Sequence, residues 1–169
     1  MQVFSKVAYI PVESMTAMKQ LLVHPSNMPT PDQLPEARRI NDLHKAGRDN
    51  ELPYEGMMLT TIVAEAERMV QLEHGPAKFD LCMGVLTIGN VALAGIPGEP
   101  FTTIGRAIKD APGWDLVMPM CCTNGYEGYF PTMDAYLEGG YEARSSIFKA
   151  GVAEAVAENA IRMLNEVRN

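Results

Sequence analysis

The sequence predicts an α/β architecture, a mixed β-sheet with flanking helices, on three observations. Apolar runs at residues 79–88, 91–96 and 116–122 read as strands, and amphipathic segments at 59–72 and 146–167 read as helices, so that the two kinds alternate along the chain. Between the first two runs, Gly89-Asn90 supplies the residues of a tight hairpin turn, which makes at least one strand pair antiparallel and the sheet mixed. No repeat, low-complexity tract or composition shift marks a second unit, so residues 1–169 read as one layered domain.

The elements follow in order. Residues 3–12, with Val3, Phe4, Val7, Tyr9, Ile10 and Val12, predict an opening strand. A chain that opens directly on a strand suggests a piece of a larger catalytic domain, with an upstream partner for that strand. In residues 13–23, Met15, Met18, Leu21 and Leu22 at helical spacing predict a first helix ended by His24-Pro25. Pro29, Pro31 and Pro35 make 26–35 a surface loop. Pro35 also suits the first turn of a second helix, running to about Ala46 and closed by Gly47. After a loop at 49–54, Ile62, Val63, Ala66, Met69 and Val70 form one face of the helix at 59–72, opposite Glu65, Glu67 and Arg68. Gly75-Pro76 ends it.

Beyond the hairpin, residues 102–111 predict a helix capped near Thr102 or Thr103. The run 116–122 is so uniformly apolar that it reads as a buried strand, with Cys121 and Cys122 as inert core thiols. Gly139-Gly140 connects to a last helix whose core side is Val152, Val156, Ala160, Met163, Leu164 and Val167.

Bulk properties narrow the function classes. A hydrophobic fraction of 47% with 21% charged residues describes a globular chain able to bury a real core. A net charge of -7 without a block of Lys or Arg argues against nucleic acid or an anionic membrane as the main partner. Three cysteines, two of them adjacent, make a poor disulfide framework and point to a reducing, cytoplasmic setting, with secretion of a longer parent left open. Neither a leader pattern nor an apolar run long enough for a transmembrane segment is present. The twelve methionines read as core gap-fillers.

Chemistry concentrates in two blocks that each begin where an apolar run ends, the place where α/β proteins put their sites. The first is Gly95-Ile96-Pro97-Gly98-Glu99-Pro100-Phe101-Thr102-Thr103, and the second is Asn124-Gly125-Tyr126-Glu127-Gly128-Tyr129-Phe130-Pro131-Thr132. Glu99 is either a complement to a helix dipole or a carboxylate fixed by a rigid Pro-Gly turn as ligand or base. Tyr126 and Tyr129 are either rings that plug a loop onto the core or groups presented to a ligand by the flanking Gly125 and Gly128. His24, His44 and His74 show no metal spacing and read as solvated side chains. The motifs of serine hydrolases, P-loop proteins and dinucleotide-binding folds are absent.

These two blocks, followed by Tyr141-Glu142, resemble in order and rough spacing the later part of the neutral/alkaline non-lysosomal ceramidase family, and bacterial relatives within it. The likeness is strongest from about Ile88 to Ser146. It implies a zinc-dependent amidase that hydrolyses an N-acyl bond, with the metal held by two histidines, a glutamate and a tyrosine. By motif the glutamate is Glu99 and the tyrosine is Tyr129. Tyr126 matches the tyrosine preceding that ligand, and a tyrosine there implies a catalytic role at the oxyanion. The family's two histidines and its serine segment lie upstream of these blocks, and none of the three histidines here matches them. The resemblance therefore implies the C-terminal fragment of such a hydrolase, inactive alone, with half of a zinc shell. Its partner would be a missing N-terminal half or a self-associated copy, and its substrate a small amide or lipid-like molecule. The alternative is a non-catalytic binding or assembly module that keeps the fold.

Overall fold

The computed structural model describes residues 11–168, so most of the strand expected at residues 3–12 lies outside the described residues. The mixed α/β sheet is present: four strands in the order β1-β2-β3-β5, namely β1 (Met15–Pro25), β2 (Lys78–Ile88), β3 (Val91–Gly95) and β5 (Leu116–Met120). β1 and β3 run antiparallel to β2, and β5 runs parallel to β3. The β2–β3 hairpin turns at Gly89, whose φ of 55° lies in the left-handed region that such a turn requires.

Residues 13–23 form no helix. β1 pairs with β2 along its whole length, from Met15 opposite Ile88 to Pro25 opposite Lys78. Its inward set is Met18, Gln20, Leu22 and His24, whereas Leu21 and Val23 stand 60% and 48% exposed. With apolar side chains on both faces and a glutamine on the inner one, the two-residue alternation of a strand is erased, and the remaining spacing mimics a helix. His24 is buried and not solvated: its Nε2–H donates to the Lys149 carbonyl at 2.9 Å.

Two helices precede β2. α1 (Leu34–Lys45) begins at the expected proline and is closed by Gly47 at φ 68°, while α2 (Gly56–Leu72) starts three residues earlier than expected. They pack through Ala37, Ile40, Val63, Ala66 and Met69. Arg68, expected on the polar face of α2, is buried. Its Nε–H donates to the Arg144 carbonyl at 2.8 Å and an Nη1–H to the Asn27 carbonyl at 2.5 Å, which satisfies a charge that burial alone would make costly.

The remaining helices are α3 (Thr102–Lys109), α4 (Met133–Glu138), α5 (Tyr141–Ser145) and α6 (Val152–Arg168). No side chain caps α3, since Phe101 and not a threonine occupies its N-cap position. α6 begins six residues later than expected because Ser146 to Lys149 run extended, Phe148 bridging to Ser26, before Gly151 at φ 102° turns the chain. Its buried residues Val152, Val156, Ala160, Met163 and Leu164 match the expected face. With α3 they cover one face of the sheet, over Leu81, Met83, Val85, Ala92, Ala94 and Val117. Phe148 closes this core, edge to face on Phe79 and Phe130 at 5.6 and 5.3 Å.

The other face of the sheet is open, which corrects the reading of residues 116–122. β5 is an edge strand with Leu116, Met118 and Met120 exposed by 50%, 37% and 42%, and Cys121 and Cys122 are exposed too. Of the methionines, Met69, Met83 and Met163 fill core gaps, whereas Met15, Met57, Met58 and Met133 are exposed.

Candidate functional site

The two sequence blocks meet at the carboxyl ends of β3 and β5. Ile96 donates its N–H to the Met120 carbonyl at 2.8 Å, which carries the parallel pairing one residue past β3. The turn that follows is then zipped to the loop 121–128. The carbonyls of Ile96, Pro97 and Gly98 accept from the backbone N–H groups of Thr123 (2.9 Å), Glu127 (2.8 Å) and Cys122 (3.0 Å). To reach these partners the loop takes left-handed geometry at Cys122 (φ 50°) and Asn124 (φ 66°). For Cys122 this costs about 1–2 kcal/mol, offset by the hydrogen bonds it permits.

Past the turn lies a second, two-stranded parallel ladder, β4 (Glu99–Pro100) against β6 (Tyr129–Phe130), in which Glu99 stands directly opposite Tyr129. The Glu99 N–H donates to the Gly128 carbonyl at 2.8 Å. This approach explains Gly98: a Cβ there would lie 2.5 Å from the Gly128 carbonyl oxygen and 2.9 Å from Phe130 Cζ. Behind the ladder, the buried Ser146 hydroxyl donates to the Tyr129 carbonyl at 3.0 Å and fixes that strand from the core side.

Glu99, Tyr126 and Tyr129 are therefore brought together, as the sequence blocks suggested. Glu99 is a strand residue whose carboxylate accepts a 2.5 Å hydrogen bond from the Tyr126 hydroxyl. Its side chain engages this phenol, three residues before the start of α3. Tyr126 is 62% exposed, so it does not plug the loop onto the core. Its phenol is pushed up to about 12, first by the hydrogen bond to Glu99, which ionisation would forfeit, and then by desolvation and the carboxylate's charge. Tyr129 is half-buried and also raised, first by desolvation and then by its neighbours Glu99, Tyr141 and Glu142. The Cys122 thiol is raised as well, by burial first and then by Cys121 and Glu99.

The structure adds Tyr141, to which the sequence reading gave no role. The first residue of α5, it sets its ring edge to face on Tyr129 at a centroid distance of 6.0 Å. Its signal in the sequence was the Tyr141-Glu142 pair that follows the two blocks in the family resemblance. The histidines are elsewhere: His24 bonds to Lys149, His44 Nδ1 stands 2.9 Å from Asp49, and His74 is exposed beside Glu73. Among the described residues no three His, Cys, Asp or Glu side chains form a group with metal-binding geometry. Glu99 and Tyr129 suit a cation as two oxygen donors in a patch of acidic groups, and fall short of the three protein ligands that a catalytic zinc takes.

Fold and site define an α/β protein with a carboxylate and phenols at the carboxyl edge of a parallel strand pair, the usual location of α/β active sites. Among known proteins, the chain resembles neutral ceramidases. It is 39% identical over 70 residues to the neutral ceramidase of Mycobacterium tuberculosis, a match covering 38% of this chain and 11% of that protein. The solved neutral ceramidase of Pseudomonas aeruginosa has the same fold over 92% of this chain, with a TM-score of 0.57 and 16% identity, using 28% of its own length. A ceramidase complexed with C2 matches 55% of this chain and 15% of its own, at 24% identity and a TM-score of 0.48. The chain thus spans well under a third of the length of these relatives. No family model matches it.

Proposed function

We propose that this chain is the C-terminal portion of a zinc-dependent amidohydrolase resembling neutral ceramidase, and that it supplies Glu99 and Tyr129 to the metal. The observation that carries the reading is the register of β4 and β6, which sets these two oxygen donors side by side. The likeness to neutral ceramidases in sequence and fold supports it.

Glu99 and Tyr129 would hold the zinc, which would supply Lewis acidity toward an amide carbonyl and a water of lowered pKa. The chain's own residues do the rest. Glu99 binds through its carboxylate, which Tyr126 orients. Tyr126 keeps its phenolic proton across the neutral range, so its hydroxyl would be available to donate to a developing oxyanion beside Glu99. Tyr129, whose phenol is raised by desolvation and by Glu99, would hold the metal through its oxygen, and Tyr141 holds its ring.

The two histidines that complete the shell come from polypeptide beyond these residues, and the substrate class is an N-acyl amide, small or lipid-like. The open apolar face of the sheet supports a polypeptide partner, the remainder of such an enzyme. Three free cysteines support a reducing, cytoplasmic setting. Among the described residues no helix is long and apolar enough to cross a membrane.

A second reading is a non-catalytic binding or assembly module, in which the Tyr126–Glu99 hydrogen bond serves to tie the two loops together. Zinc titration followed by calorimetry separates the two. The expected result is weak binding by the chain, lost in Glu99→Gln and Tyr129→Phe, with no hydrolysis of a fluorogenic N-acyl amide. Binding that survives both substitutions overturns the ligand assignment. Robust turnover by these 169 residues alone overturns the shared site.

A further inference from the structure

Cys121 and Cys122 follow directly on β5, and both are exposed. The Cys122 N–H donates to the Gly98 carbonyl at 3.0 Å and the Thr123 N–H to the Ile96 carbonyl at 2.9 Å, so the backbone carrying the two thiols is pinned to the neighbouring turn. The Cys122 sulfur lies 3.8 Å from the Gly98 carbonyl oxygen, beside the peptide that leads into Glu99.

Adjacent residues make a poor disulfide. Their Cα atoms stand about 3.8 Å apart, shorter than the roughly 4.4–6.8 Å that disulfides span. A direct sulfur–sulfur bond here would be strained and readily reduced. An ion placed between the sulfurs removes that strain, because two bonds of about 2.3 Å in tetrahedral geometry let the sulfurs stand about 3.8 Å apart. Soft thiolate donors also select soft ions.

We propose that Cys121 and Cys122 form a chelating dithiol site for a soft, thiophilic metal or metalloid centre, of which trivalent arsenic is the test case. With an aryl arsenoxide, two S–H bonds and the arsenic–oxygen bond break and two arsenic–sulfur bonds form. Both protons leave with the oxygen as water, and arsenic keeps its oxidation state. The aryl group has a place to go. Cys121 lines a groove of about 330 Å³ together with the apolar Pro100, Phe101 and Pro119 and the basic Arg106 and Lys109.

The site is independent of the zinc reading, and its test is too. The reduced chain is titrated with phenylarsine oxide and followed by intact mass and free-thiol count. One adduct per chain with the loss of two thiols is expected. Cys121→Ser and Cys122→Ser should each weaken capture by about 100-fold or more, because a second bond made within the molecule multiplies affinity by about 10² to 10⁴. Cys82→Ser, on a different strand, should bind like the parent. Cys121→Ala and Cys122→Ala repeat the measurement, so that a new hydroxyl's effect on the loop is not mistaken for the loss of sulfur. The proposal fails if one thiol is consumed per chain, if Cys82→Ser abolishes capture, or if either single variant at 121 or 122 binds as tightly as the parent.

Discussion

The two faces of the four-stranded sheet are both apolar and have opposite surroundings. Leu81, Met83, Val85, Ala92, Ala94 and Val117 lie buried beneath α3 and α6. On the other side Ala17, Leu86, Leu93 and Met118 stand in register across all four strands, flanked by Met15, Leu21, Leu116 and Met120, and several of these are more than a third exposed. The difference teaches that apolarity records what a surface is suited to meet, which within these residues is met on one face only.

Substitutions that set the two faces against each other give the largest effect. Phe148→Ala, in the covered core, should cost about 3–5 kcal/mol in urea unfolding. Met118→Ala on the open face should cost under about 0.5 kcal/mol. Comparable losses would mean that the open face is covered in solution. Next comes Gly98→Ala, at the junction of sheet and site. Its Cβ would press on the Gly128 carbonyl and the Phe130 ring, for a cost of about 1–3 kcal/mol.

At the site itself the prediction concerns pH. Tyr126 has a folded pKa of about 12 against an ordinary 10, so its contribution to stability is fully present below pH 10 and is lost as pH rises through 12. An absorbance titration of the phenols should show this late step, and Glu99→Gln should move it down toward 10. An unchanged titration in that variant would mean that the Glu99 hydrogen bond is not the cause. The smallest effect is expected in the exposed turn that follows α1. Arg48→Ala breaks an exposed pair with Glu51 at 2.6 Å and should leave the urea midpoint almost unchanged, the more so in high salt.

The same contrast decides what the sequence made legible. Elements with one wet and one buried face read correctly: α1 through Pro35 and Gly47, the β2–β3 hairpin through Gly89, and the core stripe of α6. The misread strands are the two at the edges of the sheet. In β1, Leu21 and Val23 outside and Met18 and Leu22 inside cancelled the alternation. In β5, apolar residues on both sides imitated a fully buried strand and hid the exposure of Cys121 and Cys122. Within the site, Glu99, Tyr126 and Tyr129 stood out because they follow apolar runs. Tyr141 did not, because only tertiary packing carries α5 against β6.

The short β4–β6 ladder has a kinetic consequence. Its two paired residues per strand enclose the whole of α3 and β5, so the chain must complete that crossover before the ladder returns any free energy. The opposition of Glu99 and Tyr129 is then among the last features to assemble and the first to open. In native-state hydrogen exchange the Glu99 amide should exchange well before those in the middle of β2. A ligand that grips both residues would slow that exchange without having to stabilise the rest of the sheet.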